Sequence, residues 1–134
     1  MNIEYLDTLP EVENKYQFAL RDDEKAVFVA RLDQFGTDKD WRLGSECVFT
    51  LTNKRIYVNS DSNIWMNDIA EDIISCDMVV SKFFFRKIYY FSVTLNKEKG
   101  FSDGKKQYKL KGFHYYFGDS DTTKFEEIMN HVFH

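Results

Sequence analysis

The chain has 134 residues, 43% hydrophobic and 30% charged, which is the size and composition of one globular domain and excludes a disordered chain. A net charge of −4 makes nucleic acid an unlikely partner, and no apolar run is long enough to span a bilayer. The N-terminus is acidic and shows no signal-peptide pattern, so we expect a cytoplasmic protein, with association to a membrane surface as an alternative. Cys47 and Cys76 lie in apolar runs and are predicted to be buried thiols.

Residues 1–23 are predicted to form a helical extension to the main domain. Thr8 can cap a helix, Pro10 is tolerated in its first turn, and Glu11 completes a capping-box pattern. The apolar residues that follow fall near one helical face: Leu9, Val12, Tyr16, Ala19 and Leu20. A short amphipathic helix that packs on the domain is therefore expected.

Residues 24–134 are predicted to hold seven strands and a C-terminal helix. Apolar alternation and turn residues indicate strands at 25–33, 47–52, 56–59, 64–66, 73–80, 86–95 and 105–117, with loops at 34–45 and 100–104. An acidic cap at residues 119–121 precedes an apolar stripe at helical spacing, formed by Phe125, Ile128, Met129 and Val132. The high aromatic content, 17%, also favours β structure.

The most specific motif is the hairpin sequence TLTNKRIYV at residues 50–58, followed by IAEDII at residues 69–74. These two segments resemble sequences of the pleckstrin-homology-like superfamily, and within it those of the GRAM and bacterial PH-domain branches. The resemblance implies a mainly β barrel of two near-orthogonal antiparallel sheets, closed at one end by the final helix. It also implies a non-catalytic binding module over residues 24–134.

Charge is segregated along the chain. Residues 81–111 carry nine basic and only two acidic side chains. If the sixth and seventh strands pair, they present a candidate patch for anionic lipid or a partner, formed by Lys82, Arg86, Lys87, Lys105, Lys106 and Lys109. The alternative interpretation is a solvated outer face.

Three consecutive phenylalanines, Phe83, Phe84 and Phe85, lie inside this basic region. Such a run is more often part of a core. Exposed on a loop, it would be an apolar wedge flanked by cations, as in membrane-docking segments. The sequence leaves both interpretations open.

Specific phosphoinositide recognition is not indicated. The resemblance implies a basic K-x(n)-[KR]-x-R pattern across the first two strands for that activity. Here the corresponding loop interleaves Lys39 and Arg42 with Asp38 and Asp40, so the pattern is absent. Trp41 in the same loop is expected to fold back on the barrel.

No catalytic, cofactor or metal site is predicted. The nucleotide-binding and hydrolase signatures are absent. Glu127, His131 and His134 could share a face of the final helix and hold a metal, but His134 is terminal, where helices fray. A small metal- or ligand-dependent enzyme is the least favoured of three functional hypotheses.

The leading hypothesis is a module for protein or peptide interaction. An extended peptide could add to the fifth strand beside the final helix, at Ile74, Ser75 and Asp77, through main-chain hydrogen bonds. Alternation places Ile74 and Cys76 on one face of that strand and Ser75 and Asp77 on the other. The second hypothesis is peripheral association with anionic membranes through residues 82–111.

Overall fold

The computed structural model describes residues 1–41, 43–102 and 104–134, without the side chains of Ser45, Glu46, Phe83 and Asp119. A 3-10 helix, Ile3–Thr8, is followed by the strands β1 (Ala26–Thr37), β2 (Gly44–Thr52), β3 (Arg55–Ser60), β4 (Asn63–Asp68), β5 (Ile73–Phe83), β6 (Arg86–Ser102) and β7 (Gln107–Phe117). A single-turn helix, α1 (Ile69–Asp72), joins β4 to β5, and α2 (Asp119–Phe133) follows β7. The predicted mainly β architecture with a C-terminal helix is confirmed.

The strands form one hydrogen-bonded sheet in the order β4-β3-β2-β1-β7-β6-β5, with every described pair antiparallel. β1 joins the two halves, because Ala26 to Phe35 pair with β2 while Leu32 to Thr37 pair with β7. The expected division into two separate sheets is therefore not seen. β1 is long enough to belong to both halves, at 12 residues, and it carries register shifts at which a strand can bend.

The core lies between one face of this sheet and α2. Phe125 of α2 is fully buried, with its ring centroid 4.7 Å from Phe91 on β6 and 4.9 Å from Phe117 on β7. It also contacts Phe28 on β1 at 5.7 Å and Phe49 on β2 at 5.4 Å. The predicted helical stripe thus packs on both halves of the sheet. Cys47 and Cys76 are buried free thiols, as expected.

The prediction of an amphipathic helix after Thr8 is wrong. Leu9 is extended (φ −76°, ψ 144°), because a following proline disfavours the helical conformation of the residue before it. Thr8 donates its hydroxyl hydrogen back to the Tyr5 carbonyl instead of capping a helix that follows. Gln17 has a left-handed φ of 57°, which also interrupts any helix. The segment is nevertheless anchored, since Leu6 and Phe18 are buried.

The TLTNKR motif has a structural role. Thr52 Oγ1 accepts hydrogen bonds from the backbone N–H groups of Lys54 and Arg55 and donates to the buried carboxylate of Glu24 at 2.5 Å. Asn53 Oδ1 accepts from the Lys25 N–H at 2.9 Å, and its Nδ2 donates to Asp7 at 2.8 Å. The hairpin therefore holds the start of β1 and the N-terminal segment in place.

Two predicted loops are partly strand. β1 extends to Thr37 and β6 extends to Ser102, so the connections are shorter than expected. At the end of β1 the chain turns back closely, because the Thr37 N–H donates to the Asp40 carbonyl at 2.7 Å. A Cβ at Gly36 would lie 2.2 Å from the Trp41 carbonyl oxygen, so this turn requires glycine at position 36.

Candidate functional site

A two-stranded ribbon extends from one corner of the sheet. The β6–β7 pairing begins at Phe91 opposite Tyr115, whereas the β5–β6 pairing continues for five further pairs, from Val79–Tyr90 to Phe83–Arg86. Among the described strands, β5 and β6 pair only with each other over residues 79–90, which we call the ribbon. Five pairs correspond to about 17 Å of strand.

The tip of the ribbon exposes two aromatic side chains. Phe84 and Phe85 form the turn, with relative exposures of 86% and 105%. Phe84 has a φ of 56°, in the left-handed region that tight hairpin turns require and that Gly or Asn normally occupies. Phe84 and Phe85 are therefore exposed, as the interpretation of the phenylalanine run as an apolar wedge requires. The Phe83 side chain lies outside the described residues.

The ribbon has a uniformly positive charge. It contains Lys82, Arg86 and Lys87, all exposed, and no acidic residue. We call these three the tip cations. Lys82 lies directly opposite Lys87 in the ladder, an arrangement of like charges that destabilises a strand pair.

The structure divides the basic patch of the sequence into two groups. Lys109 pairs with Gly100, and Lys105 and Lys106 lie in the β6–β7 connection, at the opposite end of β6 from Arg86. We call Lys105, Lys106 and Lys109 the far cations. Because β6 has 17 residues, the two groups are separated by up to about 50 Å along the strand.

A cavity of about 540 Å³ lies between the ribbon and the domain, and its lining extends from Arg86 beside the tip of the ribbon to Phe117 on β7. Its apolar lining comes from β5, β6 and β7: Met78, Ile88, Tyr89, Tyr116 and Phe117. Met78 pairs with Phe91, so it belongs to the same face of the sheet as the core, and Tyr89 follows on that face. Met78 and Tyr89 therefore line the cavity from the face of the sheet that covers the core.

The rim of this cavity carries charges of both signs. Arg86 and Lys87 line it from the ribbon, while Asp33 of β1 and Glu126 of α2 line it from the domain. Among the described residues, no ion pair within 4.0 Å joins these cations to these carboxylates. Thr122, in the first turn of α2, adds a hydroxyl group. Sequence reasoning named Arg86 and Lys87 but missed the cavity itself, because its residues come from five separate elements.

The predicted peptide strand, β5, is one of the two outer strands of the sheet, but its faces differ from the expectation. A register shift between Ile73 and Ser75 places Ile73 and Cys76 in the core and leaves Ile74 56% exposed. Ile74 and Cys76 therefore do not share a face, because the irregularity interrupts the alternation. Asp77 is joined to His134 at the end of α2 by a contact of 3.2 Å between Oδ1 and Nε2.

Trp41 folds back on strands β6 and β7 of the sheet, as expected. Its ring lies 4.7 Å from His114 and 5.2 Å from Tyr90, which anchors the base of the ribbon. Burial lowers the pKa of His114, and the nearby Asp38 opposes that shift. Arg42 of the same loop lies outside the described residues, so the phosphoinositide pattern can be judged only from the sequence.

The three residues considered for a metal do not converge. His131 stacks on Tyr5, with centroids 4.3 Å apart, and its Nδ1 lies 2.9 Å from the Glu127 carbonyl oxygen. His134 instead contacts Asp77. In the described part of the chain, no group of three metal-ligating side chains comes together, and no helix is long and apolar enough to cross a membrane.

No protein-family model matches the sequence, and no curated protein matches it significantly. Its structure is similar to the Vps36 N-terminal PH domain, with a TM-score of 0.62 over 96% of this chain and 95% of that chain. The chain has a pleckstrin-homology-like fold. At 16% sequence identity the similarity concerns the fold alone, so the GRAM and bacterial branches suggested by the hairpin motif stay a prediction.

Proposed function

We propose that this pleckstrin-homology-like domain is a non-catalytic module that docks on anionic membrane surfaces through its ribbon. Domains of this fold typically bind proteins or lipids. The observation that carries the proposal is the pair of consecutive phenylalanines exposed at the tip of the ribbon and flanked by the tip cations.

The energies support reversible docking. Transfer of one phenylalanine side chain out of water contributes about 1.5–3 kcal/mol, and each cation near an anionic surface contributes about 1 kcal/mol. Two phenylalanines and three cations together therefore give about 6–9 kcal/mol before the cost of immobilising the protein, which is at least about 4 kcal/mol. Weak, salt-sensitive association follows from this balance.

The test is co-sedimentation with vesicles of phosphatidylglycerol and phosphatidylcholine over a range of salt concentrations. The wild-type protein is expected to bind at low salt and to dissociate as salt shortens the screening length below about 10 Å. The double variant Phe84→Ser/Phe85→Ser is expected to bind at least about a hundredfold more weakly. Equal binding by this variant, or no binding by the wild type at low salt, would exclude docking by the tip.

A second candidate is peptide addition to β5. It is favoured by the position of β5 at the edge of the sheet and by exposed apolar side chains at Ile74, Met78 and Val80. The contact between His134 and Asp77 would have to open for a peptide to pair along the whole strand. Peptides selected from a random display library should lose binding to a folded Asp77→Pro variant; unchanged binding would exclude this mode.

A further inference from the structure

We infer that the cavity between the ribbon and the domain binds a zwitterionic headgroup that carries a phosphate and a primary ammonium, such as that of phosphatidylethanolamine. The inference rests on the proposed membrane docking, because the cavity shares Arg86 and Lys87 with the ribbon. Its volume of about 540 Å³ lies within the range of about 300–1,000 Å³ that small-ligand sites occupy.

The charge arrangement selects the ligand. Arg86 and Lys87 lie on the ribbon side of the cavity, and Asp33 and Glu126 lie on the domain side. A purely anionic ligand would be attracted by Arg86 and Lys87 but repelled by the two carboxylates, and a purely cationic ligand would meet the reverse. A ligand with separated charges of both signs can satisfy both sides.

Hydrogen bonding favours a primary ammonium. An ammonium group offers three N–H donors, and the lining supplies acceptors in the carboxylates of Glu126 and Asp33 and in the Thr122 hydroxyl oxygen, whose own hydrogen is donated to the Gly118 carbonyl at 2.9 Å. A trimethylammonium group has no N–H donor, so it would leave these acceptors to water. Arg86 presents a planar fork of donors suited to phosphate oxygens.

The position of the cavity favours a lipid as the source of this headgroup. With Phe84 and Phe85 in the apolar layer, the charged part of the ribbon lies at the depth of the headgroups. The cavity begins at that point, because Arg86 directly follows the two phenylalanines. The phosphate of a docked lipid would meet the tip cations while its ammonium enters the cavity.

The first test uses the soluble headgroup and does not depend on membrane docking. Isotope-labelled protein is titrated with phosphoethanolamine, phosphocholine and inorganic phosphate, and amide shifts are followed by NMR. We expect phosphoethanolamine to bind most tightly, with shifts at Tyr89, Thr122 and Glu126. Exposed charge pairs contribute about 0.2–1 kcal/mol, so Glu126→Gln should weaken its binding by up to about fivefold.

The matched control is Glu127→Gln. Glu127 is the next residue of α2 and is exposed, but it lines a different, smaller pocket, beside Tyr5 and Pro10. This variant removes the same charge and should bind phosphoethanolamine as the wild type does. Equal affinity of the wild type for phosphate and phosphoethanolamine, or equal effects of the two variants, would overturn the inference.

The second test identifies the source of the headgroup. At constant phosphatidylglycerol content, replacing phosphatidylcholine by phosphatidylethanolamine should strengthen vesicle binding by up to about fivefold in the wild type and in Glu127→Gln, but not in Glu126→Gln. If soluble phosphoethanolamine binds but this replacement has no effect, a lipid source is overturned. If vesicle binding persists without headgroup preference in either test, docking survives and the cavity inference fails.

Discussion

Phe84 occupies a backbone conformation that disfavours a bulky side chain. Its φ of 56° lies in the left-handed region, which costs an L-residue about 1–2 kcal/mol. Its side chain is also 86% exposed, so little burial offsets this cost. Phe84 thus disfavours folding and is exposed. Such a residue is expected where the side chain contacts another surface.

Replacement of Phe84 by glycine should therefore separate stability from function. We expect Phe84→Gly to raise the free energy of unfolding by about 1 kcal/mol, measured by urea denaturation, because glycine adopts positive φ without strain. The same variant should bind anionic vesicles more weakly than the wild type. A loss of stability would show that the aromatic ring supports the fold.

Whether the three consecutive phenylalanines are buried or exposed could not be predicted from the sequence. The same residues suit a buried strand or an exposed wedge, and nothing in their identity decides between them. The pairing of Phe83 with Arg86 decides between the two structures, because it leaves Phe84 and Phe85 as the two residues of the turn.

Between the two strands of the ribbon, Lys82 lies directly opposite Lys87. Cross-strand pairs contribute about 0.2–1 kcal/mol, and like charges oppose the pairing. We expect Lys87→Glu to stabilise the protein by up to about 1 kcal/mol in urea denaturation, because it creates an ion pair across the strands.

The same substitution should weaken vesicle binding, since it reduces the charge of the ribbon by two. Lys109→Glu is the matched control, because it makes the same change at the far end of β6 and should leave vesicle binding nearly unchanged. If Lys87→Glu binds vesicles as well as the wild type does, the tip cations do not act in docking.

Elements with strong periodicity were predictable. The stripe of Phe125, Ile128, Met129 and Val132 predicts α2, and alternating apolar residues predict the strands. The N-terminal helix had similar periodicity but was overridden by Pro10 and by the turn at Gln17. Local patterns therefore predicted the strands of the sheet better than the N-terminal segment that precedes them.

At the scale of the whole molecule, the site depends on long-range register that local patterns do not contain. The basic region looked like one patch in the sequence, and the register of β6 with β7 separates the tip cations from the far cations. The cavity likewise joins Asp33, Arg86 and Glu126, which are far apart along the chain. Neither feature could be predicted without the three-dimensional pairing.

Buried thiols and phenols make the stability of the whole molecule sensitive to alkaline pH. Burial raises the pKa of Cys76 above its usual 9.0, and it raises the pKa values of Cys47, Tyr57 and Tyr115. Below about pH 8 these groups are protonated in both states, and their contribution to stability is complete. Above it, the unfolded thiols ionise first, so the free energy of unfolding falls.

The predicted slope for a fully shifted thiol is about 1.4 kcal/mol per pH unit. Urea denaturation across the range from about pH 8 to about pH 10 measures it. Cys76→Ala should be less stable at neutral pH but lose less stability on going alkaline. An identical pH dependence in this variant would show that Cys76 does not contribute.

The most direct test of membrane docking compares two triple variants that lose equal charge. One is Lys82→Gln/Arg86→Gln/Lys87→Gln at the tip, and the other is Lys105→Gln/Lys106→Gln/Lys109→Gln at the far end of β6. Each is measured by co-sedimentation with phosphatidylglycerol vesicles at low salt. We predict that the tip variant loses binding by at least about a hundredfold, at about 1 kcal/mol per cation, while the far variant keeps it. Equal losses in the two variants would contradict docking through the ribbon and indicate attraction by overall charge.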